Sequence, residues 1–138
     1  MKKAFSLKRL SSAFKYAFKG FGKVYKNEDN MKVHVVVAIL VVLCGFLFKV
    51  STLEWIILIF AIGLVIGAEV LNTCIENLVD LVTKDYNKYA ENAKDTAAAH
   101  TLVLSITAAI IGLIVFIPKL IDCLLYTSPS PRDRSLSR

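Results

Sequence analysis

The sequence predicts an all-α membrane protein, an N-terminal amphipathic surface helix followed by three transmembrane helices. Three observations carry this. The 138-residue chain is 56% hydrophobic, and its mean hydropathy of +0.59 stands above the usual range of soluble domains. Three long apolar stretches, 33–50, 53–75 and 97–117, account for the excess. Each reaches the roughly 20 residues needed to cross a bilayer once its polar ends are included. A chain of this length has room for one domain, and a small soluble domain lacks the polar surface to cover three such helices.

The surface helix is expected over residues 5–24. Leu10, Phe14, Ala17, Phe18 and Phe21 share one helical face, and Lys8, Lys15, Lys19 and Lys23 lie mostly elsewhere. A basic helix with an aromatic-rich apolar face can lie in the membrane surface, its lysines near anionic headgroups. The same charge could serve nucleic acid, but the broad apolar face argues against that partner. Residues 1–27 are therefore assigned to an interfacial helix.

Residues 28–121 form the transmembrane unit. The first span is expected over 28–50 and the second over 53–83. The second exceeds a bilayer crossing, so its last turns project beyond it. A polar connection runs from Asp85 to Asn92, and the third span, 93–117, is expected to stop near Pro118. Gly63 and Gly67 make a G-x-x-x-G, which lets helices approach closely.

Charge sets the expected orientation. Residues 1–32 carry nine Lys/Arg against Glu28 and Asp29, and the 84–95 loop carries Lys84, Lys88 and Lys94. The 49–54 turn has only Lys49 and Glu54. The positive-inside rule places the N-terminus and the 84–95 loop in the cytoplasm, and the 49–54 turn and C-terminus outside. The first apolar stretch lies behind a long basic segment with no small-residue cleavage site after it, unlike a signal peptide. Cys44, Cys74 and Cys123 are odd in number and widely spaced, which indicates neither a disulfide framework nor a zinc site.

The last residues differ from everything before them. Residues 126–138, YTSPSPRDRSLSR, are rich in Ser, Pro and Arg. CLLYTSPSPRDRS resembles the translation of a sequencing adapter read in frame, so residues 122–138 are expected to be a non-native tail.

The chemistry concentrates in EVLNTCIENLVD, residues 69–80. On a helix, Glu69, Asn72, Thr73, Glu76 and Asp80 fall within an arc of about 100°, and Leu71, Cys74, Ile75 and Leu78 lie opposite. Ionisable groups at membrane depth are costly and normally face a protein interior or an aqueous cavity. Asn72 and Thr73 alone would suit polar contacts between helices. Two glutamates on one face fit that reading poorly, because they repel unless a cation or a proton lies between them. An ion or proton path and a catalytic metal site stay open.

Height within the membrane narrows the choice. Glu28, Glu76, Lys94 and Asp95 share the expected cytoplasmic interface, and Glu69 lies about 10 Å deeper along its helix. Carboxylates with a lysine at the interface suit magnesium and nucleotide phosphate. A deeper carboxylate suits a substrate whose reactive group sits in the bilayer. That arrangement suggests phosphoryl transfer to a lipid alcohol. Neither a P-loop nor the protein-kinase motifs occur, so any kinase here is of an unrelated all-helical type. A small oligomeric proton-coupled transporter using Glu69, or a structural membrane subunit, are the readings from other classes.

These residues resemble the bacterial integral-membrane diacylglycerol kinase/undecaprenol kinase family. Its signature, E-x-L-N-[ST]-[small]-I-E-x-x-V-D, is met by EVLNTCIENLVD with Cys74 at the small position, and its A-K-D-x-A-A element is met by residues 93–98. FKYAFKGF echoes the family's N-terminal pattern, and Glu28 precedes the first span as expected. The resemblance covers about residues 5–119. It implies a bacterial plasma-membrane homotrimer with active sites shared between subunits. It implies Glu69 as general base, Asn72 as its support, and Glu28 and Glu76 as ligands of the magnesium that bridges ATP phosphates. It further implies Tyr16, Asp85, Tyr86, Asn87, Lys94 and Asp95 in the ATP site, and Arg9 and Ala98 on the lipid side. Asn87 departs from a frequent His, and His100 stands where small apolar residues are usual; His100 is read as interfacial rather than catalytic. STLEW (51–55) and IGLVIGAE (62–69) resemble the Gram-positive branch, which prefers undecaprenol; diacylglycerol is the alternative acceptor.

Overall fold

The computed structural model describes residues 6–127, apart from the side chain of Thr127, and is helical throughout. Helix α1 covers Leu7–Asn27, α2 Asp29–Leu47, α3 Thr52–Val82 and α4 Lys88–Thr127. Asp29–Leu47, Thr52–Val82 and Lys88–Tyr126 are each long and apolar enough to cross a membrane. The chain is thus a multi-pass membrane protein with the expected three spans. At 31 and 40 residues, α3 and α4 are about 46 and 60 Å long, and both outreach a hydrocarbon core of about 30 Å.

A single residue separates α1 from α2. Glu28 is extended (φ −113°, ψ 114°), and its N–H closes the last turn of α1 on Val24 O at 2.8 Å. Val24 and Met31, on either side of this elbow, are both buried. The first span was expected to begin at 28; the extended backbone there moves its start to Asp29 and leaves Glu28 in the bend. Val24 is the one buried residue of α1, whose Leu10, Phe14, Phe18 and Phe21 are all exposed.

The α2–α3 connection is a self-contained hairpin. Helix α2 ends in a Schellman motif, with Val50 N donating to Gly45 O (3.1 Å) and Lys49 N to Phe46 O (3.3 Å). Lys49 takes the left-handed conformation this requires, at φ 52°. Two residues on, Ser51 opens α3 with a capping box: its Oγ accepts from Glu54 N (3.2 Å), and Glu54 Oε1 accepts from Ser51 N (2.9 Å). The first span therefore stops at Leu47 rather than 50. Trp55 lies over Gly45, where a Cβ would overlap its indole, and meets the Phe46 ring at 4.9 Å between centroids. Val50, Leu58 and Val115 form the small apolar core at this end.

Helix α4 departs most from expectation. It begins at Lys88, five residues early, because Asn87 caps it: Asn87 Oδ1 accepts from Tyr89 N (2.9 Å) and Ala90 N (3.2 Å). It also continues through Pro118 to Thr127. Proline in a helix interior removes a hydrogen bond and crowds the preceding turn, yet neighbouring groups make it tolerable in membrane helices. The next turn is anchored by Lys119 Nζ, 2.9 Å from Glu54 Oε2. Residues 122–127 of the suspected tail are part of this helix; residues 128–138 lie outside the described residues, as do 1–5.

Helices α3 and α4 share the largest interface and α2 packs on α3. Most large apolar side chains of the spans are exposed, among them Ile39, Phe60, Leu71, Leu78 and Ile114. Lipid tails are as apolar as leucine, so such side chains gain nothing by turning inward. Between α2, α3 and α4 lies an apolar cavity of about 520 Å³, lined by Val37, Leu58, Val65, Ala109 and Phe116 and bordered by His34. Gly63 and Gly67 are exposed, and no neighbour lies within 4 Å of where their Cβ would be. Within one chain, the G-x-x-x-G therefore serves no helix contact.

Candidate active site

The buried face of α3 changes character along its length. Leu58, Ala61, Val65 and Ala68 are followed on the same face by Glu69, Asn72 and Thr73, at helical spacing. Glu76 and Asp80 continue it half-buried, and Leu71, Cys74 and Leu78 are exposed. The polar stripe of EVLNTCIENLVD thus faces the protein, at the end of the bundle that carries α1 and the α3–α4 loop.

Glu69 is 2% exposed. Its Oε2 lies 3.7 Å from His34 Nε2 on α2, within ion-pair range but longer than a good hydrogen bond. Its Oε1 is buried without a partner. Thr73 does not compete for the carboxylate, since its hydroxyl donates back to the Glu69 carbonyl at 3.0 Å. From α4, the Thr101 hydroxyl donates to Ala68 O at 3.4 Å and fixes the backbone just before Glu69. One turn on, Asn72 Nδ2 donates to Glu76 Oε1 at 3.2 Å, leaving Asn72 Oδ1 as a second buried acceptor without a donor. A buried polar atom left unpaired costs about 1–3 kcal/mol. Two of them a turn apart make a place that accepts hydrogen bonds from, or lone-pair coordination to, something brought in.

Charges extend the site outward. Glu28 in the elbow and Glu76 on α3 are both close enough to act on the charge of Glu69. Asp80 Oδ1 receives Lys94 Nζ at 2.7 Å, joining α3 to α4, and Glu76 also acts on Lys94. Of the four residues grouped by height from sequence, Glu28 and Glu76 both act on the deeper Glu69 and Glu76 acts on Lys94, whereas Asp95 is exposed and unpaired among the described residues.

The other predicted site residues sit apart. Arg9 and Tyr16 flank one shallow groove on α1 with Lys8, Ser12 and Ala13. Among the described residues, the side chains of Arg9, Tyr16, Tyr86 and Asp95 make no hydrogen bond or ion pair, and all four are exposed. Asp85 is tied only through its N–H, to Thr83 Oγ1 at 3.1 Å. Asn87 is engaged as the cap of α4, and Ala98 is exposed. His100, also exposed, lines a cleft of about 380 Å³ between α3 and α4 together with Asn72, Leu71 and Ala97. Sequence reasoning missed His34. An imidazole within VHVVVAILVV is as anomalous at membrane depth as Glu69, and the same cost argument would have singled it out.

Could these residues hold magnesium? Among the described residues no three of His, Cys, Asp and Glu lie close enough together to form a protein-only metal site. Magnesium characteristically takes one or two carboxylates and completes its shell with water and substrate phosphates. Glu28 and Glu76, two half-buried carboxylates, fit that habit and would not fit a closed structural site.

A three-span helical bundle with a carboxylate buried on its α3, and further carboxylates and a lysine–aspartate pair toward the same end, is the build of an integral-membrane protein with a polar site between its helices. The chain belongs to the prokaryotic diacylglycerol kinase family, whose model matches residues 15–116, and is a lipid kinase. It is 40% identical over 114 residues to the undecaprenol kinase of Bacillus subtilis, covering 83% of this chain and 93% of that protein. It is 30% identical over 102 residues to the diacylglycerol kinase of Escherichia coli K12, covering 74% and 84%. The diacylglycerol kinase of Synechocystis is also 30% identical, over 114 residues, covering 82% and 65%.

Proposed function

We propose that the protein transfers the γ-phosphoryl group of ATP to the hydroxyl of a membrane lipid alcohol, with undecaprenol as the preferred acceptor. The observation that carries the reaction is Glu69: a carboxylate 2% exposed with one oxygen, Oε1, free of any partner. The preference rests on the likeness to the Bacillus subtilis undecaprenol kinase, at 40% identity over most of both chains. Diacylglycerol is the second reading, supported by the relatives that carry that name. The transporter reading explains Glu69 but not the family match.

Glu69 Oε1 takes the proton of the lipid hydroxyl. The hydroxyl oxygen then forms its bond to the γ-phosphorus as the bond from that phosphorus to the β–γ bridging oxygen breaks, and ADP leaves. Asn72 orients Glu76 through its amide. Glu28 and Glu76 would hold magnesium, which when bound neutralises phosphate charge. Lys94, held by Asp80, faces the transferred group, and positioning with electrostatics does the remaining work. Tyr16, Asp85, Tyr86, Asn87 and Asp95 are assigned to ATP, and Arg9 and Ala98 to the lipid. The lysine-rich end lies in the cytoplasm, and the exposed phenylalanines of α1 rest in the interface. The open face of Gly63 and Gly67 supports close packing against a second copy within a homotrimer.

Membranes containing the protein, given labelled ATP and magnesium with undecaprenol or diacylglycerol in parallel, test this. Labelled undecaprenyl phosphate in excess over phosphatidic acid is expected. Labelling of neither lipid would overturn the reading; the reverse order would move the acceptor to diacylglycerol.

A further inference from the structure

Glu69 lies against His34 of the neighbouring helix, and one of its two oxygens is turned toward the ring. His34 Nε2 approaches Oε2 at 3.7 Å from α2, and Oε1 is buried without a partner. The His34 side chain is 20% exposed and borders the apolar cavity between α2, α3 and α4. The remaining charges that act on Glu69 are both acidic, Glu28 from the elbow and Glu76 from α3. Among the described residues, His34 is therefore the one group acting on this carboxylate that can donate a hydrogen bond or carry positive charge.

We propose that His34 is the positioning residue for Glu69: from ion-pair range its ring N–H closes onto Oε2 when the site is engaged, so that Oε1 is the oxygen presented to an acceptor hydroxyl. A carboxylate with two equivalent free oxygens can rotate about its last bonds, and an alcohol could meet it in several orientations. A partner on one oxygen removes that freedom, and misplacement by about 1 Å can cost on the order of a hundredfold in rate. The inference rests on Glu69 being the base, as proposed above. It adds the residue that orients that base, contributed by a different helix. His34 itself takes no proton from the substrate and touches no reacting atom.

The test compares His34→Ala, His34→Gln, Glu69→Gln and the wild type as full-length protein in membranes or detergent. Each is measured for lipid phosphorylation, for the KM of ATP and for elution in size-exclusion chromatography. Glutamine keeps an N–H donor at comparable reach without the ring. The expected pattern is a fall in kcat of at least about tenfold for His34→Ala, with ATP KM and elution unchanged, and recovery of most of that loss in His34→Gln. Turnover of His34→Ala within twofold of wild type would overturn the inference. So would equal losses in both variants accompanied by altered elution, which would make His34 a packing residue. The result for Glu69→Gln separates the two levels. If that variant stays active, the assignment of the base fails and the role of His34 falls with it. If it is inactive and His34→Ala is not impaired, only the role of His34 fails.

Discussion

Lys94 Nζ lies 2.7 Å from Asp80 Oδ1, tying the last turn of α3 to the second turn of α4. Both side chains are about two-fifths exposed, so the pair adds little stability and its value is to aim the ammonium. Lys94→Met is expected to lower turnover at least about tenfold, because it removes the cation proposed to stabilise the transferred phosphoryl group. Asp80→Asn leaves the charge but releases its tether. It should lower turnover less and leave thermal unfolding nearly unchanged. Steady-state kinetics of the two variants with a melting curve in detergent check this; equal kinetic losses would show that the tether matters as much as the charge.

Glu69→Gln preserves shape and removes the base. Turnover is expected to fall on the order of 10²–10⁴-fold, the usual contribution of a positioned proton acceptor. ATP binding should survive, because no assigned ATP contact is altered. Kinase assay and nucleotide binding on one preparation decide the point.

Asn87 offers a clean separation of two roles. As the cap of α4 it should be replaceable by Ser, which also caps well. Asn87→Ala is expected to cost about 1 kcal/mol of stability. If Asn87 also contacts ATP, both variants raise the KM for ATP; if it only caps, the Ser variant matches wild type in both stability and KM.

Gly45 is buried under Trp55 at the hairpin end, where a Cβ would overlap the indole. Gly45→Ala is expected to destabilise by about 1–3 kcal/mol through overpacking. Trp55→Leu in the same chain should recover much of that loss, because contacting residues couple. Melting temperatures of the two single variants and the double variant close the cycle.

Lys49 bears a left-handed backbone, φ 52°, that costs a residue with a Cβ about 1 kcal/mol. Lys49→Gly should therefore raise stability by roughly that amount, less the added freedom of the unfolded chain. Lys49→Val should lower it. The lipid kinase rate of either should match wild type, since the turn is at the far end from Glu69.

Much of this was legible in the residues. The three spans follow from hydropathy and length alone, and the inward polar stripe follows from helical geometry applied to residues 69–80. Pattern failed where the deciding contact is distant in sequence. Pro118 reads as a stop because nothing local shows Glu54 holding Lys119 beyond it. The start of α4 was misplaced because Asn87 was read as a loop residue when it caps the helix. His34 carries a local signal, an imidazole in an apolar run, but which group it meets is set by another helix, 35 positions along the chain. The motif supplied the chemistry, and the fold supplied the second residue on which that chemistry depends.

The turn at residues 48–51 has a consequence for how the molecule can respond to substrate. Its backbone N–H groups are matched within a few residues, by the Schellman motif on one side and the capping box on the other, and Trp55 wedges the two helices together there. That end asks nothing of lipid, nucleotide or a neighbouring subunit to keep its shape. At the other end, α2 meets the polar stretch of α3 through one loose pair, His34 and Glu69. The two helices resemble tongs riveted at one tip, with the proposed base held between the open jaws, where an arriving headgroup would meet the looser end.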